Sequence, residues 1–216
     1  MGKIRVFGCL VCTALLLSDC LPSRKVRSSF RKYGFCFHGT KQLTETSGLR
    51  FDGYYSFNYT RLESDPNGSA SFPVDIAFFG NGMFIYGYRQ DYFKSVENKS
   101  FGFYNRGTQW GTYKIDGDRI KCQFMESPGG MSMNLGYVWL KLISPAALDF
   151  LILKYYDPVI ETDLASELTV KQAKQIGKGK FVSQNKMPDP ERSWIIRKSW
   201  FWCDKNEFRK WEASRK

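Results

Sequence analysis

The stretch that most constrains this chain is WGTYKIDGDRIKCQF, Trp110 to Phe124. In its second half Ile120, Cys122 and Phe124 alternate with Arg119, Lys121 and Gln123, a period of two that gives an extended strand one buried and one wet face. Between the halves stand Asp116, Gly117 and Asp118, and Asp-Gly supplies the positive backbone angles of a tight hairpin. Both aspartates are thereby explained as turn residues, with no need of a calcium ion.

The pattern repeats on either side. FPVDIAFF sets Phe72, Val74, Ile76 and Phe78 on one face, and Gly80, Asn81 and Gly82 turn the chain into MFIYGYR. GLRFDGYYSFNYT precedes them; KSFGFYNRG, MSMNLGYVWLKLIS and, past Ser144-Pro145, ALDFLILKYY follow. The count is seven or eight strands between Gly48 and Tyr156, joined by short loops, which favours an antiparallel meander. Strand-helix-strand alternation is missing, so a parallel sheet is excluded.

Eight such strands hide their edges by closing on themselves, around an interior that side chains fill or one small ligand occupies. Phe84, Tyr86, Trp110, Tyr113, Tyr137 and Trp139 are the candidate lining of a pocket for an apolar or amphipathic molecule. A filled core explains each of these residues equally well. The succession FDGYY, FFGNGMFIYGY, QWGTYKIDGDRIKCQF resembles the lipocalin-like barrels of small exported lipoproteins of Bacteroidota. The resemblance covers about residues 48–154 and implies an all-β, up-and-down barrel, here a domain over residues 48–156, that binds or scaffolds, without naming a substrate.

The ends differ in kind. Lys3 and Arg5 precede an apolar run from Val6 to Leu17, about a dozen residues. That is too short to span a bilayer, which takes roughly 20, and it has the layout of a secretory signal over residues 1–19. Leu17, Ser18 and Asp19 ahead of Cys20 resemble a bacterial lipobox, which implies acylation of Cys20 and a membrane anchor. The other reading is an ordinary signal peptide cut a few residues later, with Cys20 a plain thiol. Cys9 and Cys12 fall inside the apolar run, where a redox role has no folded setting. With Cys20 acylated, Cys36, Cys122 and Cys203 permit one bridge at most; otherwise four cysteines allow three pairings.

The net charge of +11 is concentrated in the flanks. Residues 20–50 carry seven basic side chains and one acidic, residues 51–170 ten against fourteen, and residues 171–216 thirteen against five. In an exported chain such flanks suit anionic lipid or lipopolysaccharide better than nucleic acid, each exposed Lys or Arg adding about 1 kcal/mol near a surface. The alternative is a solvated tether over residues 20–47 and a solvated tail.

Residues 157–216 are expected to form a C-terminal extension with one or two short helices. DLASELTVKQAKQIGKGK has helix formers with Leu164, Ala165 and Leu168 on one stripe, stopped by Gly177 and Gly179. NKMPDPE is a loop, RSWIIRKSWFWC an edge strand or a segment laid across the barrel, and Asp204 with Glu207 a capping box for a helix through Trp211. Trp194, Arg197, Trp200 and Trp202 are candidate surface contacts, for an envelope protein, glycan or membrane interface. Packing against the domain is the competing role.

Chemistry-bearing clusters are thin. Cys36 and His38, the sole histidine, make a pair to which the sequence adds neither an orienting group nor further ligands, so no catalytic residue, metal or cofactor is assigned. The acidic patch Asp157, Glu161, Asp163 reads as a loop and helix start, and SPGGM lacks the Lys-Ser/Thr of a phosphate loop. Asn58, Asn67 and Asn98 satisfy the N-glycosylation sequon, which a bacterial lipobox argues against using. The expectation is a lipid-anchored, exported envelope protein that binds rather than cleaves, its barrel holding a small apolar or amphipathic molecule; the alternatives are a solid barrel that contacts an envelope partner or glycan, and a hydrolase, which would need two carboxylates brought about 5–10 Å apart.

Overall fold

The computed structural model describes residues 24–39, 48–60, 71–87, 109–125 and 134–215. The leader 1–19, Cys20, the stretch KSFGFYNRG and the sequons at Asn67 and Asn98 lie outside these residues, as does the side chain of Phe72.

Eight antiparallel strands close into a barrel in sequence order: β1 (Gly53–Thr60), β2 (Ser71–Phe78), β3 (Met83–Tyr86), β4 (Gln109–Asp116), β5 (Arg119–Met125), β6 (Leu135–Ser144), β7 (Ala147–Tyr155) and β8 (Lys178–Ser183). The up-and-down meander read from the sequence is therefore present. Asp116 pairs with Arg119 across a two-residue turn in which Gly117 has φ 61°, and Gly82, at φ 85°, closes the β2–β3 turn. Asp116 and Asp118 pair with Lys121 at 2.7 Å and Lys141 at 3.4 Å, as turn residues beside basic neighbours do.

Closure comes from a place the pattern did not indicate. The eighth strand is β8, beyond residue 156, and it bridges β7 to β1, with Tyr55 opposite Phe181. In KGKFVS the inward positions are Gly179 and Phe181, so half of the apolar signal is a glycine, against which the Phe57 ring lies flat. A Cβ on Gly179 would stand 2.5 Å from Phe57 Cζ, too near for any side chain.

Helix α1 (Arg24–Lys32) and the chain to Gly39 are packed on the barrel, so residues 24–39 of the stretch 20–47, expected to be a basic tether, belong to the packed body. Phe30, Phe35 and Phe37 are buried, and burying three phenylalanines outweighs the freedom of a basic leader. Helix α2 (Glu167–Ile176) is capped by Ser166, which accepts from Thr169 N, and stops at Gly177 with φ 68°. Its buried residues are Thr169 and Ile176, whereas Leu168, expected on the inner stripe, is 79% exposed. A 3-10 turn over Glu161–Ala165 takes up the residues before it and shifts the phase of the apolar stripe. Helix α3 (Lys205–Ala213) starts where expected, with Asp204 accepting from Asn206 N at 2.6 Å.

Candidate functional site

The buried residues fall into two clusters separated by the barrel wall. Strand parity decides the membership of each residue. Inside are Tyr55, Phe57, Ile76, Phe78, Phe84, Tyr86, Tyr113, Cys122 and Phe124; outside, on the β2–β7 face, are Ala77, Met83, Ile85, Trp110, Tyr137 and Trp139.

The six candidate lining residues are thus divided. Phe84, Tyr86 and Tyr113 point into the barrel, while Trp110, Tyr137 and Trp139 point out, and no single pocket gathers all six. The error has a physical source. In β6 the first six residues are all buried, because both faces of the strand are covered, so alternation vanishes and an aromatic ring gives no clue to its side. The signal that distinguishes them is glycine: Gly111 and Gly136 sit at inward positions where a ring or backbone presses on the Cα.

Within the barrel, the inward residues are occupied with one another. Phe78 stacks on Phe84 at 5.9 Å between ring centres and meets Tyr113 edge-on at 5.0 Å; Tyr86 stacks on Phe124 at 4.6 Å. The Phe124 ring lies so close over Gly136 that a Cβ there would be 2.1 Å from Cζ. Hydroxyls are engaged as well. Tyr113 Oη donates to Phe79 O at 2.9 Å, and Tyr55 Oη donates to Pro145 O at 3.0 Å while accepting from Arg50 N. Burial pushes the Tyr86 and Tyr113 phenols well above their ordinary range and does the same to the Cys122 thiol, which leaves that free cysteine unreactive.

On the outer wall, both ends of the chain meet. Thr112 Oγ1 donates to Phe35 O, and Gln123 Nε2 donates to Ser29 Oγ at 2.9 Å. The segment 194–203 crosses the wall as turns, without adding a strand, and forms one bridge in which Phe37 N donates to Phe201 O at 2.8 Å and Cys203 N to Phe37 O at 2.9 Å. Arg31 donates from Nη2 to Trp202 O at 2.9 Å. A disulfide joins Cys36 to Cys203, across 167 residues of sequence.

Of the four candidate surface contacts, Trp194 and Trp202 are buried and serve packing; Trp202 Nε1 donates to Ile196 O at 2.7 Å. Indole rings with a satisfied N–H and little exposure bring more to a core than to a partner. Arg197 is exposed and Trp200 half-buried against Phe30. Together the described straps 24–39 and 184–215 carry five basic and no acidic side chains, and eight basic against five acidic. Arg24, Lys25, Arg197, Lys198, Lys205, Arg209 and Lys210 are exposed on them and form no ion pair among the described residues.

Two concavities border this architecture. One, of about 360 Å³, lies between the strap Gly34–His38 and the β2–β3 turn with β4. The other, of about 390 Å³, is an apolar groove between α2 and β7. At the edge of the first, the Cys36 and Cys203 sulfurs and a ring nitrogen of His38 lie within 4.8 Å of one another. The sequence had paired Cys36 with His38 but gave no sign that Cys203 would join them. Among the described residues no Asp or Glu is buried. Asp163 is held below the usual carboxylate range by the Ile160 N–H and by Lys154 at 3.1 Å, and Glu161 pairs with Arg119, so two of the three acidic residues of the patch are engaged in ion pairs. No family model, no curated protein and no solved structure matches this chain.

Proposed function

We propose that this protein is an exported, lipid-anchored envelope protein that works by surface contact: a filled barrel whose strapped, basic face docks on an anionic membrane surface. The observation that carries the reading is the convergence of residues 24–39 and 184–215 on one wall, with exposed Arg and Lys on α1, on the 194–203 crossing and on α3 that form no ion pair among the described residues. Proximity to the anchor supports it. Helix α1 begins four residues after Cys20, and four residues reach at most about 14 Å, so an acyl chain on Cys20 would hold this face, and no other, against the headgroups. Opposite charge then adds about 1 kcal/mol per apposed Lys or Arg, screened beyond a Debye length of about 8 Å at physiological salt.

The ring packing inside the barrel favours a filled scaffold over a vessel for a small molecule. Native mass spectrometry of protein purified from its own host tests that choice, for a retained small molecule would appear as added mass and would overturn the filled-barrel reading. Docking is tested with the Cys20→Ser protein, which has no acyl chain, by sedimentation with vesicles of phosphatidylcholine alone or with phosphatidylglycerol. Binding is expected only with the anionic lipid, weakening with salt and lost on Arg197→Glu with Lys198→Glu. Equal binding to both vesicles, or to neither, refutes docking by charge. Fractionation of cells carrying Cys20→Ala tests the anchor: unchanged membrane retention removes lipidation from the account.

A further inference from the structure

We propose that reduction of the Cys36–Cys203 disulfide opens a zinc site made of the two thiolates and His38, so that the clamp between the two ends of the chain is either a covalent bond or a metal centre.

The donors are already assembled. Both sulfurs and a His38 ring nitrogen lie within 4.8 Å of one another, although the two cysteines are 167 residues apart in sequence. Two thiolates and an imidazole are the soft, nitrogen–sulfur donor set that favours tetrahedral Zn²⁺. At Zn–S distances of about 2.3 Å, tetrahedral sulfurs stand about 3.8 Å apart, so the pair must spread from its bonded length by side-chain rotation.

The surroundings keep the cysteines together once the bond is cut. Phe37 N and Cys203 N remain in the bridge to Phe201 O and Phe37 O, and the Phe37 ring meets Trp202 edge-on at 4.9 Å. Arg31 holds Trp202 O from α1. None of these contacts involves a sulfur. His38 is exposed, and Cys36 and His38 both line the 360 Å³ cleft, so the fourth position opens to solvent rather than to protein. The Glu207 carboxylate reaches over Gly39, the residue after His38, 3.2 Å from where a Cβ would stand.

The chemistry balances with a dithiol as reductant. Its two thiols become one disulfide while the Cys36–Cys203 bond takes up two electrons and two protons; Zn²⁺ then displaces those two protons to solvent as it binds both sulfurs and neutral His38.

Cobalt serves as the spectroscopic probe. The full chain carrying Cys9→Ser, Cys12→Ser and Cys20→Ser is reduced and titrated with Co²⁺, with near-ultraviolet circular dichroism followed in parallel. Expected are one equivalent of tetrahedral cobalt absorption with a thiolate charge-transfer band, loss of both bands on adding Zn²⁺, and neither band in the oxidised protein. His38→Ala should weaken cobalt binding at least tenfold, and Cys36→Ser with Cys203→Ser should abolish the thiolate band. If reduction loosens the fold, restoration of the dichroism by metal supports the site. A reduced protein that gives no thiolate band, a loosened fold that metal does not restore, or a His38→Ala titration matching the parent overturns it.

Discussion

If the barrel interior is filled, a methyl group added at Gly136 has nowhere to go. Gly136 has no positive φ, so alanine there is free of backbone strain and would by itself stabilise a strand by about 0.5–1 kcal/mol through the unfolded chain. Its Cβ would, however, stand 2.1 Å from Phe124 Cζ and 2.5 Å from Cε1 and Cε2, where carbon atoms rest about 3.5–4.0 Å apart. The ring must move by more than an ångström, and Tyr86 stacked at 4.6 Å and Phe84 at 6.2 Å block it. Overpacking of this kind costs about 1–3 kcal/mol, so Gly136→Ala should be a net loss of about 1–2 kcal/mol. Phe124→Ala, which removes a fully buried ring, should cost about 3–5 kcal/mol. In the double variant the new methyl sits in the vacated space, the strain disappears and the strand preference returns. Its loss should therefore be smaller than that of Phe124→Ala alone, a coupling of about 2 kcal/mol. Urea unfolding of the four proteins, compared at equal m, measures all three differences. A neutral or stabilising Gly136→Ala, or additive losses, would show slack around Phe124 and refute the filled interior.

Replacing Cys36 and Cys203 by serine frees a loop spanning 167 residues, for which chain entropy predicts up to about 5 kcal/mol; a midpoint of unfolding unchanged by the double substitution would mean the straps hold without the clamp. Tyr113→Phe removes a donor from Phe79 O, which keeps its bond from Gly82 N, so a loss of about 1 kcal/mol is expected in the same assay, and a loss above 3 would contradict the bond inventory. At alkaline pH the sign follows from burial: Tyr137 is pushed up to about 12, Tyr86 and Tyr113 further, against an ordinary value near 10. Their contribution is complete below about pH 10 and is lost as pH rises through the folded values, so phenolate absorbance should show a late step that coincides with loss of near-ultraviolet dichroism; ionisation of all twelve tyrosines near 10 with the fold intact would disprove it. Raising salt from low to physiological ionic strength should stabilise the protein while releasing it from anionic vesicles, since screening relieves repulsion in the straps and weakens attraction to the lipid alike; parallel responses would count against charge as the cause.

The sequence was most legible where one strand face is wet. Arg119, Lys121 and Gln123 outlined the inward set Ile120, Cys122 and Phe124 without ambiguity, and the flanking turn at Asp116 to Arg119 fixed the hairpin and its register. Legibility failed where the outer face is also apolar. Gln123 is itself buried, covered by Ser29 of α1, and in β4 and β6 the outward Trp110, Tyr137 and Trp139 look no different from inward rings. What covers them is drawn from residues 24–39 and 194–203, and nothing local in either strand or strap announces that pairing. Strand β8 was hidden for the opposite reason, having too little apolar content for its two-residue period to register.

Those two failures bear on how the molecule works. A barrel wall that packs rings on both sides needs an external cover, and here the cover is made from two stretches of net positive charge. Apolar residues of the straps, Phe30, Phe37, Ile195, Phe201, face inward and bind the wall; basic residues of the same straps, Arg24, Lys25, Arg197, Lys198, are left on the outer surface. Charge is thereby separated from the packing that positions it. Like charges brought together in this way repel, and the disulfide with the Arg31 bond to Trp202 O opposes that repulsion at the point where the two straps touch. Neutral straps would cover the wall without that repulsion, and the positive charge they carry suits the anionic surface proposed on the other side of it.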